Sequence, residues 1–500
     1  MAEVLDTQKH TDAYASHGIE AIAVDAVNSD AHRSLFKARE KIHPKRVNGT
    51  FRRVKWAVMA LTLSVYYITP WLRWDRGLNA PNQAVLIDFP ARRFYFFFIE
   101  IWPQEVYYIT GLLILAAVSL FLWTALAGRV WCGYMCPQTV WTDLFLVVER
   151  AVEGQRNERI KLDRAPWGFG KLRKRVLKHA IWLVIALATG GAWIFYFADA
   201  PTLAKQLLAF DAPAAAYICA GILAFMTYML GGFAREQVCT YMCPWPRIQS
   251  AMMDEHSLLI TYRLDRGEPR GAHKKGEPWE GRGDCIDCKQ CVAACPMGVD
   301  IREGLQLPCI QCGLCIDACD DIMTKIDRPR GLIAYDTDLN IARRQRGETP
   351  QFRLVRARTI AYGAVLVLVG AVMAFALLTR RDFDMSVLHD RDPLYVKLSD
   401  GNIRNAFTVK VVNKARTGRA ETVRLEGLSG ATLSGIGLID AGDGTVHIPV
   451  DADTLQAARI LVTVPRASLA GERTPIKFVD SVPDEDKSVT VDSAFFGPAP

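Results

Sequence analysis

CIDCKQCVAACPMGVDIREGLQLPCIQCGLCIDACDD (residues 285–321) holds eight cysteines in two copies of one spacing, C-x2-C-x2-C-x3-C. The first copy is Cys285, Cys288, Cys291 and Cys295; the second is Cys309, Cys312, Cys315 and Cys319. The stretch is polar, yet the chain around it carries long apolar runs. Eight thiols at metal-ligand spacing do not belong among lipid-facing helices, so they predict a separate module inserted into a membrane bundle.

Three thiolates at two-residue intervals reach three corners of a cubane, and in paired sites the fourth thiolate comes from the opposite copy. The pattern predicts two [4Fe-4S] clusters, one on Cys285, Cys288, Cys291 and Cys319, the other on Cys309, Cys312, Cys315 and Cys295. Zinc matches less well: its closed tetrahedral sites use paired C-x2-C spacings and leave a third cysteine at that interval without a role. Residues 278–325 resemble the two-cluster bacterial ferredoxin module. Asp320 stands where the second copy would carry a proline, as Pro296 follows the first. That proline is a backbone feature and no ligand. Lys289 and Arg282 read as a solvated basic face beside the thiols.

Apolar residues make up 50% of the 500, and they are clustered. Runs at 56–72, 106–128, 180–198, 214–233 and 360–378 approach the ~20 residues that cross a hydrocarbon core as a helix, which predicts an α-helical transmembrane bundle of about five spans. The first run is the shortest and has Pro70 near its end. A sixth, FYFFFIEIW (94–102), is too short, contains Glu100, and reads as an interfacial or re-entrant segment. Five Lys and Arg lie in 45–55, eleven in 129–179 and six in 343–358, against four in 73–105 and one, Lys205, in 199–213. Basic loops stay cytoplasmic. The N-terminus and both long middle loops are therefore expected inside, and the C-terminal region outside. A cytoplasmic loop also disfavours disulfides. The net charge of +7 is then a topology signal, with no nucleic acid expected. Residues 1–50 show no cleavable signal and read as a mobile cytoplasmic tail. The expected domains are that tail, a four-span membrane domain at 51–250, a cytoplasmic ferredoxin-like domain at 251–355, a last transmembrane helix at 356–380, and an outer domain at 381–500.

That outer domain alternates with period two. Phe407, Val409 and Val411 share one face of AFTVKVV, and Val446, Ile448 and Val450 share one face of GTVHIPV. Short strands between Gly, Asp and Asn clusters predict a β-sandwich. It has no cysteine, its histidines His389 and His447 are isolated, and docking or assembly is the expected use.

VWCGYMCP (130–137) and QVCTYMCP (237–244) share C-x-Y-M-C-P, each just after an apolar run. This reads as a duplicated unit of span plus motif. Cys132 and Cys136 are four apart, as are Cys239 and Cys243, and a continuing helix would set each pair on one face. Thiolates, with the thioethers of Met135 and Met242, select Cu(I) or iron–sulfur over hard cations. If the two units pack together, the four thiols form a redox or metal site at the membrane edge. Cys219 lies alone inside a span and reads as packing. Haem is disfavoured, because its axial histidines would have to lie within spans and only His179 is near one. Glu100 and Glu105 flank IWPQ; acidic residues at membrane depth are functional candidates, although an interface gives them a simple structural use.

RRFYFFFIEIWPQE (92–105), WCGYMCP (131–137), CTYMCPWPRIQ (239–249), the double cysteine spacing and the ending FFGP (495–498) together resemble one family, from roughly residue 40 onward. It is that of the FixG/CcoG-type accessory proteins for assembly of cbb3-type cytochrome c oxidases. The resemblance implies a multi-pass iron–sulfur protein of the bacterial inner (cell) membrane, with a periplasmic Ig-like C-terminal domain. It implies a link to copper delivery through reduction of Cu(II) to Cu(I). It carries Cys132, Cys136, Cys239 and Cys243 over as the catalytic thiols that hold the copper. The expected partners are membrane lipid, an unidentified cytoplasmic electron donor, and copper carriers or oxidase assembly factors; a homodimer is left open. Two other readings stand beside it: a quinol-linked electron donor to a periplasmic reductase, and a non-enzymatic assembly scaffold.

Overall fold

Among the described residues, four helices are long and apolar enough to cross a membrane: Pro103–Ala127, Phe169–Ile194, Ala214–Ala234 and Ala357–Leu378. Leu113, Ile218, Phe225, Val367 and Phe375 on them are exposed, a surface that suits lipid and not water. The structure, a computed structural model, describes residues 12–28, 40–77, 79–436, 439–440, 444–469, 471–482 and 488–498. The chain divides into one unit of Met1–Leu72 with Gln83–Met373, and a second of Arg73–Asn82 with Ala374–Pro500.

The helix Thr50–Ile68 covers most of the first expected run but is not among the four. It starts ahead of that run and takes Arg52, Arg53 and Lys55 into its first turns. Arg52 and Lys55 are buried against Asp143, with Arg52 Nη1 2.9 Å from its carboxylate. The start of this helix is therefore embedded in protein, a polar anchor that an apolar-run reading does not see. Toward its other end Tyr66 donates to the Thr189 carbonyl (2.8 Å) and accepts at its own carbonyl from Tyr196 (2.9 Å). The helix thus runs beside Phe169–Ile194 up to that helix's C-terminal end.

Helix Pro137–Glu153 buries Phe145, which stacks on Trp182 with ring centroids 5.1 Å apart, and also a row of carboxylates. Glu149 is wholly buried between Arg159 (3.1 Å) and Arg235 (3.2 Å), and Glu153 meets Lys178 (2.9 Å). Burial pushes the Glu149 carboxyl up, but Arg235 and Arg159 outweigh it and hold the group at about 2. Removing one side of such a pair strands a buried charge, at a cost of ~3–5 kcal/mol. These pairs therefore hold Arg235, in the second repeat, against the helix that follows the first.

Two sequence expectations change here. Residues 12–28, expected within a mobile tail, are packed: Tyr14 and Ile19 join the core of the cysteine module, and Tyr14 donates to the Asp287 carbonyl (3.0 Å). Val24 and Ala26 pack against the same core, and Asn28 donates to the Met297 carbonyl (2.8 Å); residues 1–11 and 29–39 of the expected tail lie outside the described residues. The aromatic run FYFFFIEIW is β-structure. Strands Arg93–Phe96 and Ile99–Ile101 join Val85–Asp88 in an antiparallel sheet, turned by Phe97 at φ 51°. Its acidic neighbours serve the fold: Glu100 pairs with Arg93 (3.0 Å), and Glu105 accepts from the Trp102 N–H (3.2 Å).

In the second unit the alternating segments form two five-stranded antiparallel sheets. One is ordered Thr432–Gly435, Thr454–Val464, Ile403–Asn413, Phe383–His389, with Val396–Lys397 also on Ile403–Asn413. The other is ordered Ile439–Asp440, Thr445–Val450, Arg419–Glu426, Arg473–Ser481, Ser488–Phe496. Phe407, Val409, Val411, Val446 and Ile448 are wholly buried in one core with Phe478 and Phe495, as the period-two pattern requires. His389 is satisfied by Asn405 (2.8 Å).

Asp480 and Glu421 are also wholly buried in this unit, and Arg419 donates to Glu421 Oε1 (3.0 Å). Burial first, then the neighbouring Glu421 carboxyl, push Asp480 up from 3.8 to about 9. The folded state therefore keeps a proton that the unfolded chain loses. The stability this contributes is complete below pH 3.8 and is lost as pH rises through about 9. The protection of strand Arg473–Ser481 in the intact chain, measured as exchange relative to the intrinsic rate at each pH, is expected to fall over that rise, and Asp480→Asn to abolish the fall. A variant with the wild-type pH profile would show that Asp480 does not hold the proton.

Candidate functional site

The cysteine module is closed by a two-stranded antiparallel ribbon, Leu259–Tyr262 with Ile333–Asp336. Each cysteine copy starts as a loop and ends on a helix. Gln290–Ala294 carries Cys291 and is closed by Cys295, and Leu314–Lys325 carries Cys315 and Cys319. The same two positions in each loop are left-handed: Asp287 (φ 54°) and Lys289 (φ 52°), then Gln311 (φ 54°) and Gly313 (φ 77°). Non-glycine residues take this region at a cost, and the cost is tolerated where the surroundings over-determine the loop. No residue type at 287, 289 or 311 announces it in the sequence.

The coiled loops gather the thiols into two groups. One cavity is lined by Cys285, Cys288, Cys291 and Cys319 with Ile286, Ile322 and Leu332. Another is lined by Cys295, Cys309, Cys312 and Cys315 with Ile260, Val299 and Ile310, and it also touches Cys291. The fold thus sets Cys319 with the first copy and Cys295 with the second. Burial pushes the thiols of Cys288 and Cys309 up to about 11 and that of Cys295 to about 12. Burial and neighbouring thiols raise Cys315 and Cys319 as well. Among the described residues no three His, Cys, Asp or Glu side chains close on one point as a single ion requires. Four soft donors around a dry cavity fit an iron–sulfur group.

Of the two cations that the sequence sets beside these thiols, Lys289 lines the first cavity and Arg282 lines neither. Arg282 Nη2 donates to the Ala272 carbonyl (2.8 Å), a backbone anchor. Arg302, buried on Asp300 (2.9 Å) and Asp287, favours the ionised forms of Cys288 and Cys291. Asp320, in place of the proline, accepts from the Gly331 N–H (2.8 Å).

The two C-x-Y-M-C-P motifs are not continuing α-helices. Trp131–Met135 and Val238–Met242 are single π-turns, each closed by a bond from the last cysteine's N–H, Cys136 to the Trp131 carbonyl (2.9 Å) and Cys243 to the Val238 carbonyl (2.8 Å). Pro137 and Pro244 follow and end each turn. Such π-turns recur at functional sites. The two turns bring their thiols near one another. Burial pushes Cys132 up to about 11, and Cys136 and Cys243 add to it. Burial pushes Cys239 up to about 12, with Cys136, Cys132 and Cys243 adding to it. Cys132 Sγ donates to Gln249 Oε1 (3.1 Å), a partner no motif reveals. Met135 and Met242 are 45% and 63% exposed, so the thioethers are not buried with the thiols. Cys219, expected to fill packing space, is exposed on its helix.

The first π-turn lies directly against the second cysteine loop. A Cβ on Gly133 would sit 2.8 Å from the Ile310 carbonyl and 3.1 Å from Cys312 Cα. Tyr134 donates to the Cys312 carbonyl (3.0 Å), and the Arg129 guanidinium donates to the Cys309 carbonyl (2.7 Å) and to that of Leu307. The second turn has Thr240 where the first has Gly133, and its hydroxyl returns to the Glu236 carbonyl (2.8 Å). From the module side, Asp317 accepts from the N–H groups of Phe51 (3.1 Å) and Arg52 (2.7 Å), which caps the helix Thr50–Ile68.

Three family models match the chain: a 4Fe-4S binding domain over residues 109–153, a 4Fe-4S dicluster domain over 234–338, and the Ig-like fold at the C-terminus of FixG over 373–498. The nitrogen fixation protein FixG of Rhizobium meliloti is 52% identical over 464 residues, covering 87% of this chain and 88% of that protein. Protein RdxB of Cereibacter sphaeroides is 52% identical, covering 88% and 91%, and protein RdxA of the same organism is 50% identical, covering 87% and 91%. A crystal structure of a FixG-related protein from Vibrio parahaemolyticus matches 23% of this chain and 96% of its own at 21% identity, with a TM-score of 0.20.

The docking at Gly133 makes a sharp prediction. Gly133→Ala forces a methyl into the Ile310 and Gln311 carbonyls, and overpacking of this kind costs ~1–3 kcal/mol. Amide exchange at 309–313 is expected to speed up accordingly, while Thr240→Ala at the equivalent position leaves it unchanged. Equal exchange in the two variants would show that the loop does not bear on the turn.

Proposed function

The chain belongs to the FixG family and is a membrane iron–sulfur oxidoreductase; we propose that it takes single electrons from a soluble donor and reduces Cu(II) to Cu(I) at Cys132, Cys136, Cys239 and Cys243. In this reading the Cu(I) is delivered during assembly of a cbb3-type cytochrome c oxidase. The observation that carries it is the seating of the first π-turn on the Cys309–Cys312 loop, with backbone on backbone at Gly133. Cys285, Cys288, Cys291 and Cys319 would hold one [4Fe-4S] cluster, and Cys309, Cys312, Cys315 and Cys295 the other. When bound, such clusters supply one-electron redox chemistry.

The chain's own residues divide the remaining work. Ile260, Val299 and Ile310 wall the second thiol group in apolar side chains, which keeps water from it. Gly133 and Tyr134 fix the distance from that group to the membrane-edge thiols. Those thiols are soft donors and favour the cuprous product. Metal binding needs them deprotonated, and the proton of Cys132 Sγ is already held toward Gln249 Oε1. Each Cu(II) consumes one electron and leaves as Cu(I).

The same reading sets the cysteine module and the N-terminal segment in the cytoplasm and the β-sandwich in the periplasm. Thr50–Ile68 supplies the fifth crossing. What supports this is its contacts: Asp317 of the module at its start, Tyr196 near its end. The basic residues of 129–179 and 343–358 support it too.

Anaerobically purified protein is expected to contain iron and sulfide in two cubanes' worth and to reduce Cu(II) from a chemical donor. The double variant Cys132→Ser, Cys243→Ser should keep its iron and sulfide but lose Cu(II) reduction by about tenfold or more. An unchanged rate would remove these thiols from the copper site. Zinc in place of iron and sulfide would remove the electron-transfer reading altogether.

A further inference from the structure

The internal repeat is matched in backbone and mismatched in charge. Gly128 and Arg235 hold equivalent positions ahead of the two π-turns, and both are left-handed (φ 62° and 43°). At the next position the first copy has Arg129 and the second Glu236, both buried. Arg129 stands between the two sets of thiols. Its backbone N–H donates to Gln311 Oε1 (2.8 Å), and its guanidinium donates to the Cys309 carbonyl (2.7 Å) and the Leu307 carbonyl. On its other side the same guanidinium favours the ionised form of Cys132. No carboxylate pairs with Arg129 among the described residues, and its Nε has no hydrogen-bond partner there. The cation beside the first thiol group differs: Arg302 is paired with both Asp300 and Asp287.

We propose that Arg129 is a positioning residue that makes the second cysteine group the electron exit, its uncompensated charge favouring the reduced state there. A buried charge acts strongly through a low-dielectric interior, and each electron accepted adds a negative charge next to it. Arg302 also faces the first group, but its charge is shared with two aspartates, which reduces its bias there. Electrons therefore run downhill from the first group to the second, and the second group passes each one to a Cu(II) held at the membrane-edge thiols, which leaves as Cu(I). This inference rests on the electron-transfer reading above and adds a direction to it.

The test is an EPR-monitored redox titration of full-length protein, anaerobically purified, as wild type, Arg129→Gln, Arg129→Lys and Tyr134→Phe. Arg129→Gln is expected to lower one of two midpoints by a tenfold or larger shift of the one-electron equilibrium, about 60 mV, and to leave the other in place. Arg129→Lys keeps the charge and should stay near wild type. Tyr134→Phe removes a hydrogen bond to the same loop without touching charge and should also stay near wild type. Two unchanged midpoints in Arg129→Gln would overturn the proposal. So would a shift in Arg129→Lys as large as that expected for lost charge, the mark of a purely structural role, and this holds even where Arg129→Gln does not fold. Wild-type protein without iron and sulfide is a different result, and it overturns the electron-transfer reading instead.

Discussion

A missing side chain at residue 133 lets two backbones touch. The π-turn Trp131–Met135 and the loop of Cys309 to Cys312 approach so closely that a single Cβ would collide with the Ile310 carbonyl. Much else in the first unit keeps this contact in register. Arg129 and Tyr134 tie the turn to loop carbonyls, and Asp317 caps the neighbouring helix Thr50–Ile68 from the module side. A polar module is thereby fixed to apolar helices through backbone groups and buried charges, with Phe51 and Trp245 packed on its core.

Buried charge does the corresponding work between the repeats. Glu149 lies wholly buried, reached by Arg159 and by Arg235, and Arg235 also occupies the left-handed turn before the second motif. A residue other than glycine at that turn costs conformational energy, and the ion pair over-determines it. Where the first copy has Gly128, the geometry comes without strain, and charge appears one residue later as Arg129. The duplication thus gives two similar π-turns with opposite electrostatic surroundings.

The second unit obeys simpler rules. Its strands alternate, its core is apolar, and its turns carry Gly, Asp and Asn, so local pattern and global fold agree. Asp480 beside Glu421 is the exception, a carboxyl kept protonated by burial among strands that otherwise read as uniform.

Sequence alone determined what depends on spacing along the chain. The two cysteine copies, the apolar helices, the repeat at Cys132 and Cys239, and the alternation at Phe407, Val409 and Val411 are local periodicities, legible because ligand loops, helices and strands each impose one. Tertiary structure decided what depends on residues far apart meeting. Tyr14 and Ile19 dock on a module that lies hundreds of residues further on. The start of Thr50–Ile68 buries its basic residues against Asp143, and Gly133 rather than Thr240 faces the cysteine loop. Left-handed Asp287, Lys289 and Gln311 aim their thiols through backbone angles that no side chain at those positions encodes. Arg129 and Arg302 look alike as letters. Only their neighbours in space, two carbonyls for one and two aspartates for the other, tell a charge without a carboxylate from a paired one.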